Sequence, residues 1–328
     1  MSSSPLDPER RLDVGHALTS SAPAKRMLIV VNPYATTVSD RLKHLVVYAL
    51  RGRYLVDAIN TERRDHATEL CRKAAQQGYD VVVAFGGDGT VNEAANGLAG
   101  SGVPLTCLPG GRANVYCRML GIPSDVVDAT EHLLAIADDW RPRTVDLGLL
   151  NERFFLFSAG VGLDASVVQR VDAHPRQKAR AGEYYYAWVA SSTYVRRYLR
   201  RPPRLEARFG AEQVTGVSVI IQNADSYTFF GDRPVEVGEG VALDSGDLAG
   251  VVLKRTNPLD IPTITWRALS TKARVAKHRQ IYAFTGVHNL HVRTLDARPL
   301  PVQVDGDYIG ERGTVEFTVM PGGLTVVA

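Results

Sequence analysis

The 328-residue chain contains little cysteine, no long hydrophobic run and almost no excess of charge of either sign. Cys71, Cys107 and Cys117 form no C-x-x-C pair, which excludes a disulfide scaffold and favours reduced thiols in a cytosolic protein. The longest apolar runs, such as Val81 to Phe85, fall well short of the roughly 20 residues that a membrane-spanning helix needs. A formal charge of +3 does not by itself indicate a nucleic-acid partner.

The hydrophobic content, 45% of the residues, is sufficient for a folded core. A wholly disordered chain is therefore excluded, and the length suggests one large or two medium domains. Residues 1–24 are rich in serine, proline and charge and contain no apolar segment. This composition predicts a disordered tail and not a signal peptide.

Between residues 25 and 145, short apolar runs alternate with amphipathic stretches. Met27–Val31 is continuously apolar, as expected for a strand that is buried on both faces. The predicted strands are 27–31, 54–59, 80–85 and 104–108, and the predicted helices are 39–50, 65–77, 91–98 and one that ends at Gly121. This alternation is typical of the α/β class, with a doubly wound parallel sheet that forms a nucleotide-binding domain.

Residues 146–328 have a different pattern, in which short strands are separated by turn residues. The predicted strands are 154–157, 205–209, 216–222, 250–254, 288–293, 302–305 and 313–319. One helical segment, 183–199, interrupts them. We therefore expect a β-rich, sandwich-like second domain, with an active site in the cleft between the two domains.

The segment Gly-Gly-Asp-Gly-Thr-Val-Asn-Glu, residues 86–93, joins a buried strand to a helix. Its three glycines allow a phosphate to approach the backbone, and the helix start offers free N–H groups and a positive dipole end. Thr90 and Glu93 have the spacing of a capping box. Asp88 would repel a phosphate, which indicates a role in holding magnesium, a water or the nucleophilic hydroxyl.

Two further loops are predicted at the same edge of the sheet. Residues 32–36, Asn-Pro-Tyr-Ala-Thr, follow the first strand, and residues 109–114, Pro-Gly-Gly-Arg-Ala-Asn, follow the fourth. Ligands of open parallel sheets bind outside the carboxyl ends of the strands, so the three loops together favour a nucleotide site. Arg112 could neutralise phosphate charge, while Asn114 could cap the following helix or contact the ligand.

In this order, the motifs resemble the diacylglycerol kinase catalytic family of lipid kinases, which includes bacterial diacylglycerol kinases and eukaryotic sphingosine kinases. The resemblance extends from Arg26 to the C-terminus. The motifs are Val-Asn-Pro at 31–33, the glycine-rich segment 86–93, Pro-Gly-Gly-x-x-Asn at 109–114, Leu-Gly-Ile-Pro at 120–123, Asp-Leu-Gly at 146–148, Ala-Gly-Val-Gly-Leu-Asp at 159–164 and Val-Asp-Gly-Asp-Tyr at 304–308.

The resemblance implies a set of functional residues and the use of ATP and Mg²⁺. Asp88 is implied to be needed for turnover and Asp305 to be the base that accepts the proton of the lipid hydroxyl; the alternative for Asp305-Gly306 is a plain hairpin turn. The implied nucleotide-binding residues, with the loop residues assigned beside them, are Asn32, Pro33, Tyr34, Ala35, Thr36, Thr61, Gly86, Gly87, Asp88, Gly89, Thr90, Val91, Asn92, Gly111, Arg112 and Asn114.

Two positions depart from the family's pattern. Arg112 stands where family members usually carry threonine or serine, so the phosphate geometry or the nucleotide preference could differ. Many bacterial members place a structural magnesium in a segment reading Asp-Gly-Leu-Leu-Asp, whereas this chain has Ser245-Gly-Asp-Leu-Ala249 with Asp244 adjacent. The sequence therefore predicts a catalytic magnesium near Asp88 but does not support a structural one at Ser245.

Residues 170–208 contain ten Lys or Arg and three acids, together with several tyrosines and one tryptophan. A basic, aromatic-rich helix suits an anionic membrane surface. The alternative is a solvated face beside aromatic residues that pack in the core, and no recognised nucleic-acid-binding fold accompanies the charge.

Taken together, these patterns predict a cytoplasmic, peripherally membrane-associated kinase that phosphorylates a lipid hydroxyl, with diacylglycerol as the first-choice acceptor. An NAD kinase shares the Gly-Gly-Asp-Gly loop, but Val91-Asn92-Glu93 and the late Asp-Gly-Asp favour the lipid kinase. A nucleotide-binding protein without catalysis is the other alternative. The sequence leaves the lipid and the oligomeric state open.

Overall fold

The computed structural model describes residues 24–174, 188–199, 202–270, 272–296 and 298–328. The predicted N-terminal tail lies almost wholly outside this range, as does the first part of the predicted helix 183–199. Among the described residues, no helix combines the length and the apolar character that a bilayer crossing requires.

The N-terminal half contains four parallel strands in the order β2-β1-β3-β4. The strands are β1 (Arg26–Val31), β2 (Leu55–Asn60), β3 (Val81–Gly86) and β4 (Leu105–Pro109). The helices are α1 (Asp40–Leu50), α2 (His66–Gln76), α3 (Asp88–Leu98), α4 (Val115–Met119) and α5 (Val126–Ala135). Helix α1 packs with α5, and α2 with α3, and the strands β1, β3 and β4 are buried. The predicted parallel sheet is confirmed.

The C-terminal half is built mostly from antiparallel strands. They are β5 (Arg143–Leu150), β6 (Arg153–Phe155), β7 (Ser158–Gly162), β8 (Leu205–Phe209), β9 (Glu212–Gly216), β10 (Ser218–Gln222), β11 (Thr228–Phe230), β12 (Arg233–Val235), β13 (Leu248–Leu253), β14 (Ile281–Val287), β15 (Asn289–Thr294), β16 (Leu300–Val304), β17 (Asp307–Arg312) and β18 (Thr314–Val326). Helix α6 (Leu163–Asp172), a π-helical turn (Tyr194–Tyr198), α7 (Ile261–Leu269) and a 3₁₀ turn (Val275–Lys277) lie between strands.

A second sheet has the order β14-β13-β10-β7-β16-β17. An apolar core joins β7, β10 and β16 of this sheet to β8, β15 and β18 of the first, as in a sandwich. The β-rich second half predicted from the sequence is confirmed.

Strand β18 connects the two halves of the molecule. Its first part pairs antiparallel with β15 and β5, while Val326 near its end pairs parallel with Leu105 of β4. The register of β18 shifts between Met320 and Leu324, and there the backbone N–H of Gly322 donates to Asp146 Oδ1 at 2.8 Å. The first sheet is therefore continuous through both halves, and Asp146 of the Asp-Leu-Gly motif stabilises the irregular part of β18.

The structure corrects the predicted capping box. Helix α3 begins at Asp88, not at 91, and its N-cap residue is Gly87. The Thr90 hydroxyl instead accepts a hydrogen bond from Asn32 Nδ2, and the Glu93 carboxylate accepts one from the N–H of Ala67 on α2. Both side chains therefore hold α3 to its neighbours and leave its first N–H groups to other partners.

Candidate active site

The three predicted loops meet at the carboxyl edge of the parallel sheet. Asn32 Nδ2 donates to Thr90 Oγ1 at 3.1 Å, which ties the loop after β1 to the start of α3. The backbone N–H of Thr37 donates to the carbonyl of Gly110 at 3.1 Å, and the N–H of Gly110 donates to the carbonyl of Gly86 at 2.8 Å. The loops thus form one connected surface, as the order of the strands requires.

Glycines are needed here because the loops touch each other through their backbones. A Cβ on Gly86 would lie 2.5 Å from Thr90 Oγ1, and one on Gly110 would lie 2.8 Å from the Cα of Gly86. A Cβ on Gly111 would lie 2.8 Å from the Cα of Gly87. Contact between the loops thus accounts for glycines that the sequence alone attributes to the approach of a phosphate.

Replacement of Gly111 by alanine is expected to lower the free energy of unfolding by about 1–3 kcal/mol, the usual cost of overpacking against backbone that cannot move freely. Gly313→Ala is the matched control, because nothing lies within 4 Å of its added Cβ. Urea denaturation of both variants checks the prediction. Equal stability of Gly111→Ala and the control would show that the two loops separate easily.

Asp88 is the first residue of α3, and its Oδ1 accepts a hydrogen bond of 3.1 Å from the N–H of Tyr116 on α4. A carboxylate at this place is stabilised by the N-terminal ends of two helices. Asp88 therefore has a fixed position at the tip of the glycine-rich segment, next to the loop that follows β4.

Asn114 closes that loop from within. Its backbone is left-handed, with φ of 43°, and its side chain does not cap α4. The carboxamide instead accepts from the N–H of Gly111 at 2.9 Å and donates to the carbonyl of Gly111 at 2.8 Å. Arg112, between them, is exposed. The loop thus holds its shape through Asn114 and presents Arg112 outward.

The other predicted nucleotide-binding residues are divided between an open and a buried group. Tyr34 is 84% exposed, and Thr61 follows β2 with its N–H bonded to the carbonyl of Val31. Pro33, Ala35 and Thr36 belong to the same open edge. By contrast, Val91 and Asn92 are each only 1% exposed: Val91 packs in the core that includes the parallel strands, and Asn92 bonds to the second half of the chain.

Asn92 joins α3 to the β-rich half. Its Nδ2 donates to Asp305 Oδ2 at 2.7 Å and to the carbonyl of Phe154 at 2.9 Å. Its Oδ1 accepts from Arg153 Nε at 3.0 Å. Asn92, which the sequence predicts to contact the nucleotide, therefore also holds Asp305, the predicted base, in position.

Asp305 is buried and fully engaged. Its carboxylate accepts hydrogen bonds from the backbone N–H groups of Leu156 (2.7 Å), Phe157 (3.0 Å) and Ser158 (3.1 Å), in addition to Asn92. Its backbone has φ of 46°, in the left-handed region that Asp tolerates. Burial raises the pKa of Asp305 to about 6, although its four donors oppose the rise.

The stability of the protein relative to its Asp305→Asn variant is expected to fall as the pH rises from about 4 to 7. The pKa of Asp305 is raised from 3.8 to about 6, so the folded state holds this proton more tightly than the unfolded chain. That stabilisation is complete below the unfolded pKa and is lost as the pH passes through about 6, a change of about 3 kcal/mol. Denaturation of both proteins across this range measures it; a constant difference would contradict it.

Asp307, which the sequence analysis did not single out, lies at the glycine-rich segment. Its Oδ2 is 2.6 Å from the position that a Cβ on Gly89 would occupy. Gly306, with φ of 80°, turns the chain between the two acids, so Asp305 enters the core while Asp307 remains partly exposed. The second aspartate of Asp-Gly-Asp is the sequence feature that could have pointed to Asp307. Only the conformation of the turn shows that this acid, and not Asp305, faces the glycine-rich segment.

A third acid, Asp164 of α6, approaches the Asp305–Asp307 turn. Gln303 Nε2 donates to Asp164 Oδ2 at 2.8 Å, and Gln303 Oε1 accepts from the N–H of Gly306 at 2.9 Å. The hydroxyl of Tyr227 also donates to Asp164, and burial raises the pKa of this carboxyl. Asp164, the last residue of the Ala-Gly-Val-Gly-Leu-Asp motif, therefore connects α6 to the Asp305–Asp307 turn.

At the segment of the family's structural magnesium, the polar groups bond to one another. Ser245 Oγ donates to Asp247 Oδ1 at 2.8 Å, and Asp146 Oδ2 accepts from the N–H of Gly246 at 2.6 Å. No group of three or more potential metal ligands is formed by the residues that the structure describes.

The basic segment 170–208 divides into packed and exposed parts. Tyr194 and Tyr198 are buried, and Arg170 donates to the hydroxyls of Ser192 and Thr193. Trp188, in contrast, is 58% exposed. Arg176, Lys178, Arg180, Tyr184, Tyr185, Tyr186, Arg200 and Arg201 lie outside the described residues.

Comparison with known proteins agrees with this geometry. Residues 26–148 match the diacylglycerol kinase catalytic domain. The chain is 25% identical over 276 residues to a diacylglycerol kinase of Staphylococcus haemolyticus, covering 82% of this chain and 78% of that protein. It is 26% identical over 294 residues to one of Staphylococcus epidermidis, covering 88% and 87%. A crystal structure of a diacylglycerol kinase from Bacillus anthracis str. Sterne shares the fold, with a TM-score of 0.70, 23% identity and coverage of 92% of this chain and 96% of that one.

Proposed function

We propose that this chain, a lipid kinase by its match to the diacylglycerol kinase catalytic domain, transfers the γ-phosphoryl group of ATP to the hydroxyl of a diacylglycerol. One observation carries the proposal: the Asp305–Asp307 turn of the β-rich half places a carboxylate against Gly89 of the glycine-rich segment. Phosphoryl transfer requires the phosphate site and a proton acceptor to be adjacent, and this contact brings them together.

The nucleotide phosphates bind at the start of α3. The N–H groups there and the positive end of the helix dipole attract the anion, and the exposed Arg112 adds a positive charge at the neighbouring loop. Asn32 and Asn114 hold the loops in place through hydrogen bonds, so the site needs little rearrangement when nucleotide binds.

Asp88 is the residue that would hold a magnesium ion, because a carboxylate beside a phosphate site is the hard oxygen donor that this cation prefers. When bound, the ion supplies charge neutralisation to the phosphates. Asp88 is fixed for this role by the N–H of Tyr116.

The proton acceptance that the family resemblance implies for Asp305 is assigned here to Asp307. Asp305 has four donors on its carboxylate, so its lone pairs are engaged within the protein. Asp307 is partly exposed at Gly89 and is the acid that accepts the proton of the lipid hydroxyl. Asp305 positions the turn, and the charge of both acids keeps the proton acceptor basic.

The acceptor lipid stays in its bilayer, so the enzyme works as a cytoplasmic protein that binds the membrane surface peripherally. Basic residues of segment 170–208 support this location, since each Lys or Arg near an anionic surface contributes about 1 kcal/mol. Arg196 is one such described residue.

The test is phosphate transfer from radiolabelled ATP with magnesium to a panel of acceptors that contains diacylglycerol, ceramide, sphingosine, phosphatidylglycerol and NAD. We expect labelled phosphatidic acid as the main product. Labelling of NAD, or nucleotide binding without transfer to any acceptor, would overturn the proposal. Asp307→Asn serves as the inactive control that excludes a contaminating kinase.

A further inference from the structure

A groove of about 750 Å³ lies on the β-rich half, away from the glycine-rich segment. Its walls come from α7, from the helical residues 188–193 and from the β11–β12 hairpin. The principal lining residues are Ser191, Arg233, Ile261, Pro262, Trp266 and Lys272. We call the surface around this groove the α7 face.

Helix α7 has an apolar outer side. Ile264 and Ala268 pack inward against an apolar cluster of the β-rich half. On the outer side, Trp266 is 59% exposed, and Leu259, just before the helix, is 79% exposed. A tryptophan and a leucine that remain in water in this way mark a surface that contacts another apolar phase.

The helical segment that contributes Ser191 to the groove also exposes large apolar side chains. Trp188 is 58% exposed and Val195 is 56% exposed. Positions 188, 191 and 195 are three, four and seven residues apart, so they lie near one side of the helical segment. Ser191 lines the groove, and Trp188 and Val195 lie about one helical turn to either side of it.

The charge of the α7 face is positive. Arg233 and Lys272 line the groove, no acid is among its described lining residues, and neither basic residue forms an ion pair within the described part of the chain. The neighbouring basic residues Arg118 and Arg274 do form ion pairs, with Asp232 and Glu239 respectively. The remaining positive charge lies beside exposed rings, a combination that matches the headgroup region of an anionic bilayer.

Side-chain contacts connect the α7 face to the candidate active site through α6. The hydroxyl of Tyr198, from the helical wall, bonds to Ser166 Oγ at 2.8 Å. The hydroxyl of Tyr227, which precedes the β11–β12 hairpin, bonds to Asp164. Two of the three elements that form the groove, the helical segment and the hairpin, are therefore bonded next to or through α6, the helix that also contacts the Asp305–Asp307 turn through Gln303.

We propose that the α7 face is the surface by which this protein docks on an anionic lipid bilayer, with Trp188 and Trp266 at the level of the headgroups. This inference rests on the proposed function only in that the acceptor is taken to be a membrane lipid. The α7 face differs from the basic segment 170–208, because α7 and the β11–β12 hairpin contribute most of the residues that line its groove.

The first experiment uses the three tryptophans of the chain, Trp140, Trp188 and Trp266, with vesicles whose acyl chains carry bromine, a short-range quencher. Trp140 is in the N-terminal half, against Tyr54, and is the internal reference. Variants with a single remaining tryptophan are made by replacement with phenylalanine. We expect quenching of Trp188 and Trp266 and none of Trp140. Quenching of Trp140 alone, or of no tryptophan when the protein is bound, would overturn the proposal.

The second experiment reverses charge. Arg233→Glu with Lys272→Glu is compared with Arg41→Glu with Arg51→Glu, an equal change at exposed positions of α1 and its end. Co-sedimentation with phosphatidylglycerol-containing vesicles is expected to weaken at least tenfold in the first variant and to be unchanged in the second. Raising the salt should weaken wild-type binding and diminish the difference between the two variants.

Activity separates this inference from the proposed function. The α7-face variant should lose activity on diacylglycerol in vesicles and keep it on a short-chain, water-soluble diacylglycerol. Vesicle binding without phosphorylation of any lipid would refute the proposed function and leave the docking surface intact. Equal activity of both variants on vesicles, or self-association that only the α7-face variant loses, would refute the docking surface.

Discussion

Asp307→Asn is expected to lower turnover by roughly 10²–10⁴-fold, the range that a general base contributes, while ATP binding with magnesium is retained. The asparagine has the same shape but cannot accept the proton of the lipid hydroxyl. Since Asp307 is partly exposed beside Gly89, the fold should be little affected. Steady-state phosphate transfer and calorimetric titration with ATP measure the two quantities.

Asp305→Asn is the control that separates proton acceptance from positioning. An amide at this position would direct its NH₂ group at buried N–H donors, so at least one of them would lose its acceptor, at a cost of about 1–3 kcal/mol. We expect a clear loss of stability in this variant and none in Asp307→Asn. If Asp307→Asn keeps near-normal turnover, while Asp305→Asn folds stably and is inactive, then Asp305 is the base.

Asp88→Asn is expected to reduce turnover by at least about 100-fold, the scale for the loss of a key electrostatic group in an active site. The amide oxygen can still accept the N–H of Tyr116, so the contact with α4 persists. The lost function is the negative charge that organises magnesium and the reacting phosphate. Turnover measured against magnesium concentration checks this, since the variant should need more of the cation.

Asp125→Asn is the matched control for Asp88→Asn. Asp125 caps α5 by accepting the N–H groups of Val127 and Asp128, and asparagine is an equally good N-cap. The control should therefore keep its stability and activity. Near-normal turnover of a folded Asp88→Asn variant would refute the catalytic role of Asp88.

The sequence alone was sufficient for the centre of the parallel sheet, because β1 and β3 are almost continuous apolar runs bounded by turn residues. A continuous apolar run of this length fits few structures other than a strand that is buried on both faces. The predicted strand 27–31 and the observed strand Arg26–Val31 therefore differ by only one residue. The predicted edge of the site followed from the same pattern. The start of α3 was predicted less well, since Thr90 and Glu93 have the spacing of a capping box but bond to Asn32 and Ala67.

The local sequence of Gly-Gly-Asp-Gly-Thr predicted a glycine-rich turn before a helix, and the ordered motifs predicted the family whose catalytic domain residues 26–148 match. Only the tertiary structure decided which acid of Asp305-Gly306-Asp307 faces that turn, because the answer depends on N–H donors from residues 156–158 and on Asn92, more than 140 and 210 residues distant in the chain. It likewise decided that β18 completes the first sheet and that α7 and Ser191 line one groove. Such long-range contacts follow from the register of strands and the packing of helices, which no local pattern of residues specifies.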